Sequence, residues 1–135
     1  MSQEAVELLR RAAEFTYTQD SFGEILPIFH PDLVYHPRAD EPDPSPHVGR
    51  DAYERLIRGF LDAFSKITFE IDEMLDVGDC AIASTVLHGR GSASGADVAE
   101  PYVFVYQARD GLVVQGWEYR TLPEALEAVE QRTRA

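Results

Sequence analysis

Residues 33–56 read LVYHPRADEPDPSPHVGRDAYERL, and the residue pattern changes twice within this stretch. It begins with a β-branched and aromatic run, Leu33 to His36, which favours a short strand. Residues 37–46 are rich in proline and acid and predict a loop, because proline cannot donate a ladder hydrogen bond. From Asp51 to Phe64 the apolar residues recur at helical spacing. The stretch therefore predicts a strand, an irregular loop and an amphipathic helix, in that order.

The sequence on either side completes the order of elements. Residues 2–19 and 22–29 predict two helices, and a last helix begins near Leu122. Between them, β-branched and aromatic runs predict four antiparallel strands at residues 67–77, 80–89, 102–109 and 112–120. Asp110-Gly111 is a strong hairpin signal, whereas the small, polar residues 89–100 predict a mobile connection. Helices followed by a meandering sheet indicate the α+β class, with a tapered cavity between the helices and a curved antiparallel sheet.

Composition narrows the classes of function. The 135 residues are of a size for one domain, spanning residues 1–135, and the net charge of −12 argues against nucleic acid and anionic membranes as partners. The single cysteine, Cys80, lies in an apolar run and is predicted to be a core residue. No apolar run approaches the roughly 20 residues that span a bilayer. The acidic start lacks the basic and apolar pattern of a secretory signal, so we expect a cytoplasmic location.

Four local features resemble the SnoaL-like branch of the nuclear-transport-factor-2-like superfamily, and the resemblance covers almost the whole chain. They are Leu33-Val34-Tyr35-His36-Pro37, Val48-Gly49-Arg50, Arg109-Asp110-Gly111, and Glu118-Tyr119-Arg120 followed by Glu124-Ala125-Leu126. The resemblance implies a cone, in which N-terminal helices and a curved antiparallel sheet enclose an internal pocket. It also implies a frequent dimer through the sheet. It does not fix the activity, because this fold carries isomerases, dehydratases, cyclases, hydrolases and non-catalytic modules.

Strand alternation groups the candidate pocket residues, although alternation alone does not say which face points inward. The distant resemblance to ketosteroid isomerases supplies that choice. It implies a pocket formed by Val34, His36, Tyr102, Phe104, Val114, Gly116 and Glu118. Trp117 and Tyr119 then lie on the outer face of the sheet, where an aromatic stripe would suit a homodimer interface.

Three residues are candidates for chemistry. His36 precedes a proline at the end of the first strand, where the resemblance places the carboxylate base of the isomerases, and a histidine can also move protons near neutrality. Glu118 could orient His36, or act as an acid if apolar walls raise its pKa. Tyr17 could donate a hydrogen bond to a ligand. The alternatives are a polar strand end for His36, an ion pair with Arg120 for Glu118, and a core position for Tyr17.

These residues predict a protein that binds a small, mainly apolar molecule and acts on it by acid–base chemistry without a cofactor. The reaction could be an isomerisation, dehydration, cyclisation or hydrolysis. The alternatives are a non-catalytic ligand-binding module and a dimeric interaction module. His30, His47 and His88 are expected at the surface, and no two histidines have the helical spacing of metal ligands, so we expect no metal site.

Overall fold

A computed structural model describes residues 2–134, and in it the chain forms four α-helices, a short 3₁₀ helix and six strands. Their order and bounds are α1 Ser2–Glu14, α2 Phe22–Ile25, the 3₁₀ turn Leu26–Ile28, β1 Phe29–His36, β2 His47–Val48, α3 Arg50–Ala63, β3 Phe64–Val77, β4 Cys80–Gly91, β5 Asp97–Arg109, β6 Leu112–Tyr119 and α4 Leu122–Arg134. Among these residues, no helix is long and apolar enough to cross a membrane.

The six strands form one curled, unclosed sheet in the order β2-β1-β6-β5-β4-β3. β3, β4, β5 and β6 pair as an antiparallel meander, as the sequence predicts. β1 joins the far edge by pairing parallel to β6, with Tyr35 opposite Gly116 and His36 opposite Trp117. The α+β fold class predicted from the sequence is confirmed, and the parallel pairing of β1 makes the sheet mixed.

Helices cover both faces of this sheet. α1 and α3 pack on the inner, concave face, where the larger core joins Leu9 of α1 and Tyr53 of α3 to Phe104 of β5. α4 packs on the outer face, where Ala125 and Val129 meet a smaller core that includes Val105. The cavity expected between the helices and the sheet therefore lies on the inner face only.

Several local predictions are confirmed and others need correction. Asp110 and Gly111 form the β5–β6 turn with φ values of 55° and 78°, which is the geometry that an Asp-Gly hairpin favours. The last helix begins at Leu122 as predicted, and the Thr121 hydroxyl caps it by accepting a hydrogen bond from the Glu124 amide. Cys80 is buried, as predicted, and burial raises the pKa of its thiol to about 12.

Two predicted boundaries are wrong for the same reason, which is that tertiary pairing outweighs local propensity. α1 ends at Glu14 because Tyr17 exchanges two backbone hydrogen bonds of 2.9 Å with Ile67 of β3. The predicted mobile connection after residue 89 is instead an ordered hairpin. β4 continues to Gly91 and β5 begins at Asp97, with Arg90 paired to Asp97 across the ladder.

Candidate functional site

A cavity of about 60 Å³ lies between α1, α3 and the inner face of the sheet. Its wall is almost wholly apolar and aromatic, and it contains five tyrosines and one carboxylate. The lining residues are Leu9, Ala12, Ala13, Tyr17, Tyr35, Tyr53, Ile57, Phe60, Ile67, Phe69, Leu87, Tyr102, Phe104, Tyr106 and Glu118. Such a wall suits a small apolar ligand that carries one or two polar atoms.

Glu118 is the single carboxylate in this wall, and it is only 7 % exposed. Its Oε2 accepts a hydrogen bond from the Tyr35 hydroxyl, and its Oε1 accepts one of 3.2 Å from the backbone amide of Arg38. Burial raises the pKa of Glu118 to about 7, because the apolar surroundings disfavour the charged form more than the two hydrogen bonds stabilise it. Glu118 can therefore both release and accept a proton near neutrality.

Tyr35 reaches Glu118 because Gly116 leaves room for its ring. A Cβ atom built on Gly116 would lie 2.8 Å from Cδ1 of Tyr35, so the ring occupies the space that any other residue would fill. On its other side the Tyr35 ring packs against Tyr53, with ring centroids 4.7 Å apart. The glycine of β6 and the helix α3 together fix the hydroxyl of Tyr35 on the carboxylate.

The other tyrosines contribute their rings to the wall. Tyr17 uses its hydroxyl inside the protein, donating a hydrogen bond of 2.7 Å to the carbonyl of Ala12. Burial raises the pKa of Tyr17, Tyr53 and Tyr106 above the ordinary tyrosine range, so these hydroxyls stay protonated at neutral pH.

The loop predicted for residues 37–46 lies against the end of the cavity that holds Glu118. Arg38 is 5 % exposed, and its guanidinium lies 4.3 Å from the centroid of the Tyr102 ring. The same guanidinium donates to Asp40 and to the carbonyl of Pro101, at 2.9 and 2.8 Å. Glu41 accepts a hydrogen bond of 2.8 Å from the Tyr102 hydroxyl. The start of this loop is therefore attached to β5 beside Glu118.

The structure brings together four of the predicted site residues: Tyr17, Tyr102, Phe104 and Glu118 all line the cavity. Gly116 also faces inward, where the Tyr35 ring covers it.

The predictions for Val34, His36 and Val114 are wrong, because none of the three points into the cavity. In β1 the inward residues are Leu33 and Tyr35, both fully buried, so Val34 and His36 have the opposite parity. In β6 the pairing with β5 passes from Gln115 to Val113, which leaves Val114 in a β-bulge. The bulge reverses the alternation, and Val113 is the buried residue.

His36 lies outside the cavity, in a surface cleft at the end of β1 and β6. Its ring stacks on Trp117 with centroids 5.2 Å apart and planes 5° from parallel, and its Nε2 lies 3.1 Å from the side-chain oxygen of Gln115. Arg132 of α4 lies 3.9 Å from the Trp117 ring centroid and donates a hydrogen bond to the Tyr119 hydroxyl. Trp117 and Tyr119 thus lie on the outer face, as predicted, next to α4.

Comparisons with known proteins agree with this geometry. The family model of the SnoaL-like domain matches residues 9–116, which is most of the chain. The chain belongs to the SnoaL-like family. No curated protein sequence matches this SnoaL-like chain.

Solved structures share the fold of this SnoaL-like domain at low sequence identity. A protein from a Jannaschia species, proposed to be a SnoaL-like polyketide cyclase, is 15% identical with a TM-score of 0.70, and the match covers 94% of this chain and 92% of that one. A protein with a ketosteroid isomerase-like fold from Catenulispora acidiphila, in complex with trimethylamine, is 16% identical with a TM-score of 0.68, covering 90% and 88%. At these identities the likeness establishes the fold alone.

Sequence reasoning missed Tyr35, Tyr53, Tyr106 and Arg38 as site residues. Tyr35 carried a signal that could have revealed it: a glycine inside a strand often marks the close approach of another group, and Gly116 lies two residues before Glu118. Arg38 had no comparable local signal, since its position depends on how the loop folds onto β5.

The SnoaL-like domain offers little to a metal ion. Across residues 2–134, no three side chains among His, Cys, Asp and Glu lie close enough together to hold one. His88 is exposed at 3.1 Å from Glu70, and the other predicted surface histidines, His30 and His47, are half-buried.

Proposed function

We propose that this SnoaL-like domain binds a small, mainly apolar molecule in its cavity and that Glu118 transfers a proton to or from it without a cofactor. One observation carries the proposal: a buried carboxylate with a pKa of about 7 is the single acidic group in an otherwise apolar and aromatic wall. A pKa close to the working pH is what general acid–base catalysis requires, because both protonation states are then available.

The surroundings of Glu118 suit both states. When the carboxylate is ionised, the Tyr35 hydroxyl and the Arg38 amide donate hydrogen bonds to its two oxygens. When it is protonated, it can donate a hydrogen bond to a ligand oxygen or nitrogen, and few other polar groups in the cavity compete for that proton. The chemistry fits a proton shift within one substrate, as in an isomerisation, a dehydration, a cyclisation or an acid-assisted hydrolysis. Tyr17 contributes its ring to the wall in this proposal, since its hydroxyl is bonded to Ala12.

The cavity also restricts the charge and size of the ligand. Among the described residues, no lysine, arginine or histidine lines the cavity, so an anionic ligand would lie unpaired beside Glu118. One water molecule needs about 10–15 Å³ of cavity volume. A cavity of about 60 Å³ therefore holds a ligand of only a few heavy atoms. A larger ring system would require the loop or the aromatic side chains to move.

The test is proton exchange catalysed at a small ketone. The wild type, Glu118→Gln and His36→Gln are each incubated in deuterated buffer with cyclopentanone, and deuterium incorporation next to the carbonyl is followed by NMR. We expect Glu118→Gln to lose the protein-catalysed exchange by about 100-fold or more. His36→Gln is the matched control and should keep it, because His36 lies outside the cavity. Equal rates in the wild type and Glu118→Gln would contradict the proposal.

Non-catalytic binding by the same cavity is the second candidate. It is favoured because the described lining residues include no second carboxylate and no histidine, and burial keeps the tyrosine hydroxyls protonated. The relative from Catenulispora acidiphila is in complex with trimethylamine, which makes this amine a suitable probe. Calorimetric titration of the wild type with trimethylamine would then show saturable binding without any exchange at the ketone. The same titration with phenol tests the binding of a neutral molecule.

A further inference from the structure

The loop of residues 37–46 contacts residues outside the loop. Its first part, which we call the Arg38 segment (residues 38–41), is attached to the body of the protein by four polar contacts. Arg38 donates to the carbonyl of Pro101 and lies 3.9 Å from Glu100, Asp40 pairs with Arg120 at 2.9 Å, and Glu41 accepts a hydrogen bond from the Tyr102 hydroxyl.

The Arg38 segment meets Glu118 directly. The backbone amide of Arg38 donates a hydrogen bond of 3.2 Å to Oε1 of Glu118, and this is the only contact to that oxygen among the hydrogen bonds of residues 2–134. The guanidinium of the same residue is buried against the Tyr102 ring, while the Glu41 carboxylate is held at the hydroxyl of that same ring. One short segment thus brings a hydrogen-bond donor to Glu118 and holds a cation and an anion on Tyr102, another residue of the cavity wall.

We infer that Arg38 and Glu41 are positioning residues whose opposite charges, held beside Tyr102 by the loop, shift the proton affinity of Glu118 in opposite directions. This inference rests on the proposed function of Glu118 and extends it to a part of the chain that does not line the cavity. Attachment of the loop to Tyr102 and Pro101 then contributes both to the orientation of Glu118 and to the ease with which it ionises.

The charged and titratable groups around Glu118 come from the cavity wall, from the loop and from the surface cleft beside it. Tyr35 of β1, Tyr53 of α3 and Tyr102 and Tyr106 of β5 stay protonated because burial raises their pKa values, so they contribute hydrogen bonds or dipoles but no charge. Arg38 and Glu41 are the charged groups that act on its pKa. His36, Asp40, Arg120 and Glu124 share the surface cleft that Glu118 also lines. The positive charge of Arg38 lowers the pKa of Glu118 and the negative charge of Glu41 raises it, against the larger effect of burial.

The experiment measures the pKa of Glu118 in the ligand-free protein. Protein labelled with ¹³C at the glutamate side-chain carboxyl is titrated by NMR between pH 4 and 9, and the Glu118 signal is assigned by its loss in Glu118→Gln. We expect Glu41→Gln to shift the Glu118 midpoint to lower pH and Arg38→Gln to shift it to higher pH. Arg38→Lys keeps the charge and should lie closer to the wild type than Arg38→Gln does.

Asp43→Asn is the matched control for the loss of a negative charge in this loop. It removes one negative charge from the same loop, but Asp43 bonds to Ser45 and makes no contact with Glu118. We expect its Glu118 midpoint to equal that of the wild type. The inference is overturned if Glu41→Gln and Arg38→Gln shift the midpoint in the same direction, if neither shifts it, or if Asp43→Asn shifts it as much as Glu41→Gln.

This measurement separates the inference from the proposed function. If the midpoints move as expected while Glu118→Gln keeps full exchange at the ketone, the proposed function fails and the control of Glu118 by the loop stands. If Glu118→Gln loses exchange while the midpoints do not respond to Arg38 and Glu41, the proposed function stands and the inference fails.

Discussion

At the scale of single residues, Glu118 shows how three physical effects compete at one carboxyl group. Burial raises its pKa, the hydrogen bonds from Tyr35 and the Arg38 amide lower it, and burial is the largest effect. A group that ionises less readily in the folded protein than in the unfolded chain makes stability depend on pH.

We predict that the free energy of unfolding of the wild type falls as the pH rises. The fall occurs in the range where Glu118 is protonated in the folded protein but ionised in the unfolded chain. The folded pKa is about 7 and the ordinary value is 4.5. Between these values the native state binds more protons than the unfolded chain, so the free energy of unfolding falls with rising pH, by about 3 kcal/mol in total from this group. Urea unfolding at pH 4.5 and 7.5 should show this fall in the wild type relative to Glu118→Gln. Parallel pH profiles of the two proteins would contradict the prediction.

A second prediction concerns the hydroxyl of Tyr35. Tyr35→Phe removes the hydrogen bond that favours the ionised carboxylate, so the pKa of Glu118 should rise above its wild-type value. At neutral pH the variant should also lose about 1–3 kcal/mol of stability, because a buried acceptor loses its partner. Carboxyl ¹³C NMR and urea unfolding measure the two effects. Tyr17→Phe is the matched control: its hydroxyl bonds to Ala12, and the midpoint of Glu118 should not move.

The sequence allowed some of these residues to be placed and not others. Glu118 lies in the cavity as predicted, because the resemblance to isomerases selects the inward face of β6 and alternation holds from Gly116 to Glu118. His36 was misplaced because Val34 and His36 on one face and Leu33 and Tyr35 on the other are equally compatible with a buried strand. Both faces of β1 are packed in this fold, so hydrophobic pattern alone could not choose between them, and the resemblance to isomerases selected the wrong one.

At the scale of elements, β6 determines the site through a bulge and a glycine. The bulge at Val114 resets the alternation so that Val113 and Gly116 both point inward. No sequence rule fixed the position of this bulge, because it is a shift in the register between β6 and β5.

We predict that Gly116→Ala damages the site without altering its charge. The new Cβ would lie 2.8 Å from the Tyr35 ring, which Tyr53 holds from the other side, so the ring must shift. We expect a loss of about 1–3 kcal/mol from overpacking, with a rise in the Glu118 pKa as the Tyr35 hydroxyl moves away. Chemical unfolding and NMR titration measure the two effects.

Gly59→Ala is the matched control for this change. Gly59 lies in α3, and nothing is within 4 Å of the position that its Cβ would take. This substitution should stabilise the protein by up to about 1 kcal/mol, because alanine is the better helix former. A Gly116→Ala variant as stable as Gly59→Ala would show that the ring does not need the glycine.

At the scale of the whole molecule, the order of elements determined the fold class. Helices before a meandering set of strands predicted an α+β sheet with an inner cavity, and the structure has both. The parallel pairing of β1 with β6 joins segments about 80 residues apart in the chain and had no local signal. The position of α4 on the outer face was also not predicted, although its apolar residues Ala125 and Val129 marked a buried side.

The last prediction concerns assembly, and we propose that the outer face of the sheet forms a homodimer interface at Trp117 and Tyr119. Both side chains are half-buried on that face, where Arg132 and His36 already pack around the indole. Each chain carries a net charge of −12, so two chains repel each other, and the dimer should dissociate less as salt screens the charge.

Light scattering after size exclusion should give twice the chain mass of 15.1 kDa. The fraction of dimer should be higher at 0.5 M than at 0.05 M sodium chloride, because the Debye length is about 10 Å at 0.1 M and shortens as salt is added. Tyr119→Glu adds a charge at the interface and should give monomer, whereas Val48→Glu, at a 71 % exposed position on the β2 edge, should not. A wild-type monomer under all these conditions would exclude the interface, and a dimer that survives Tyr119→Glu would place it elsewhere on the cone.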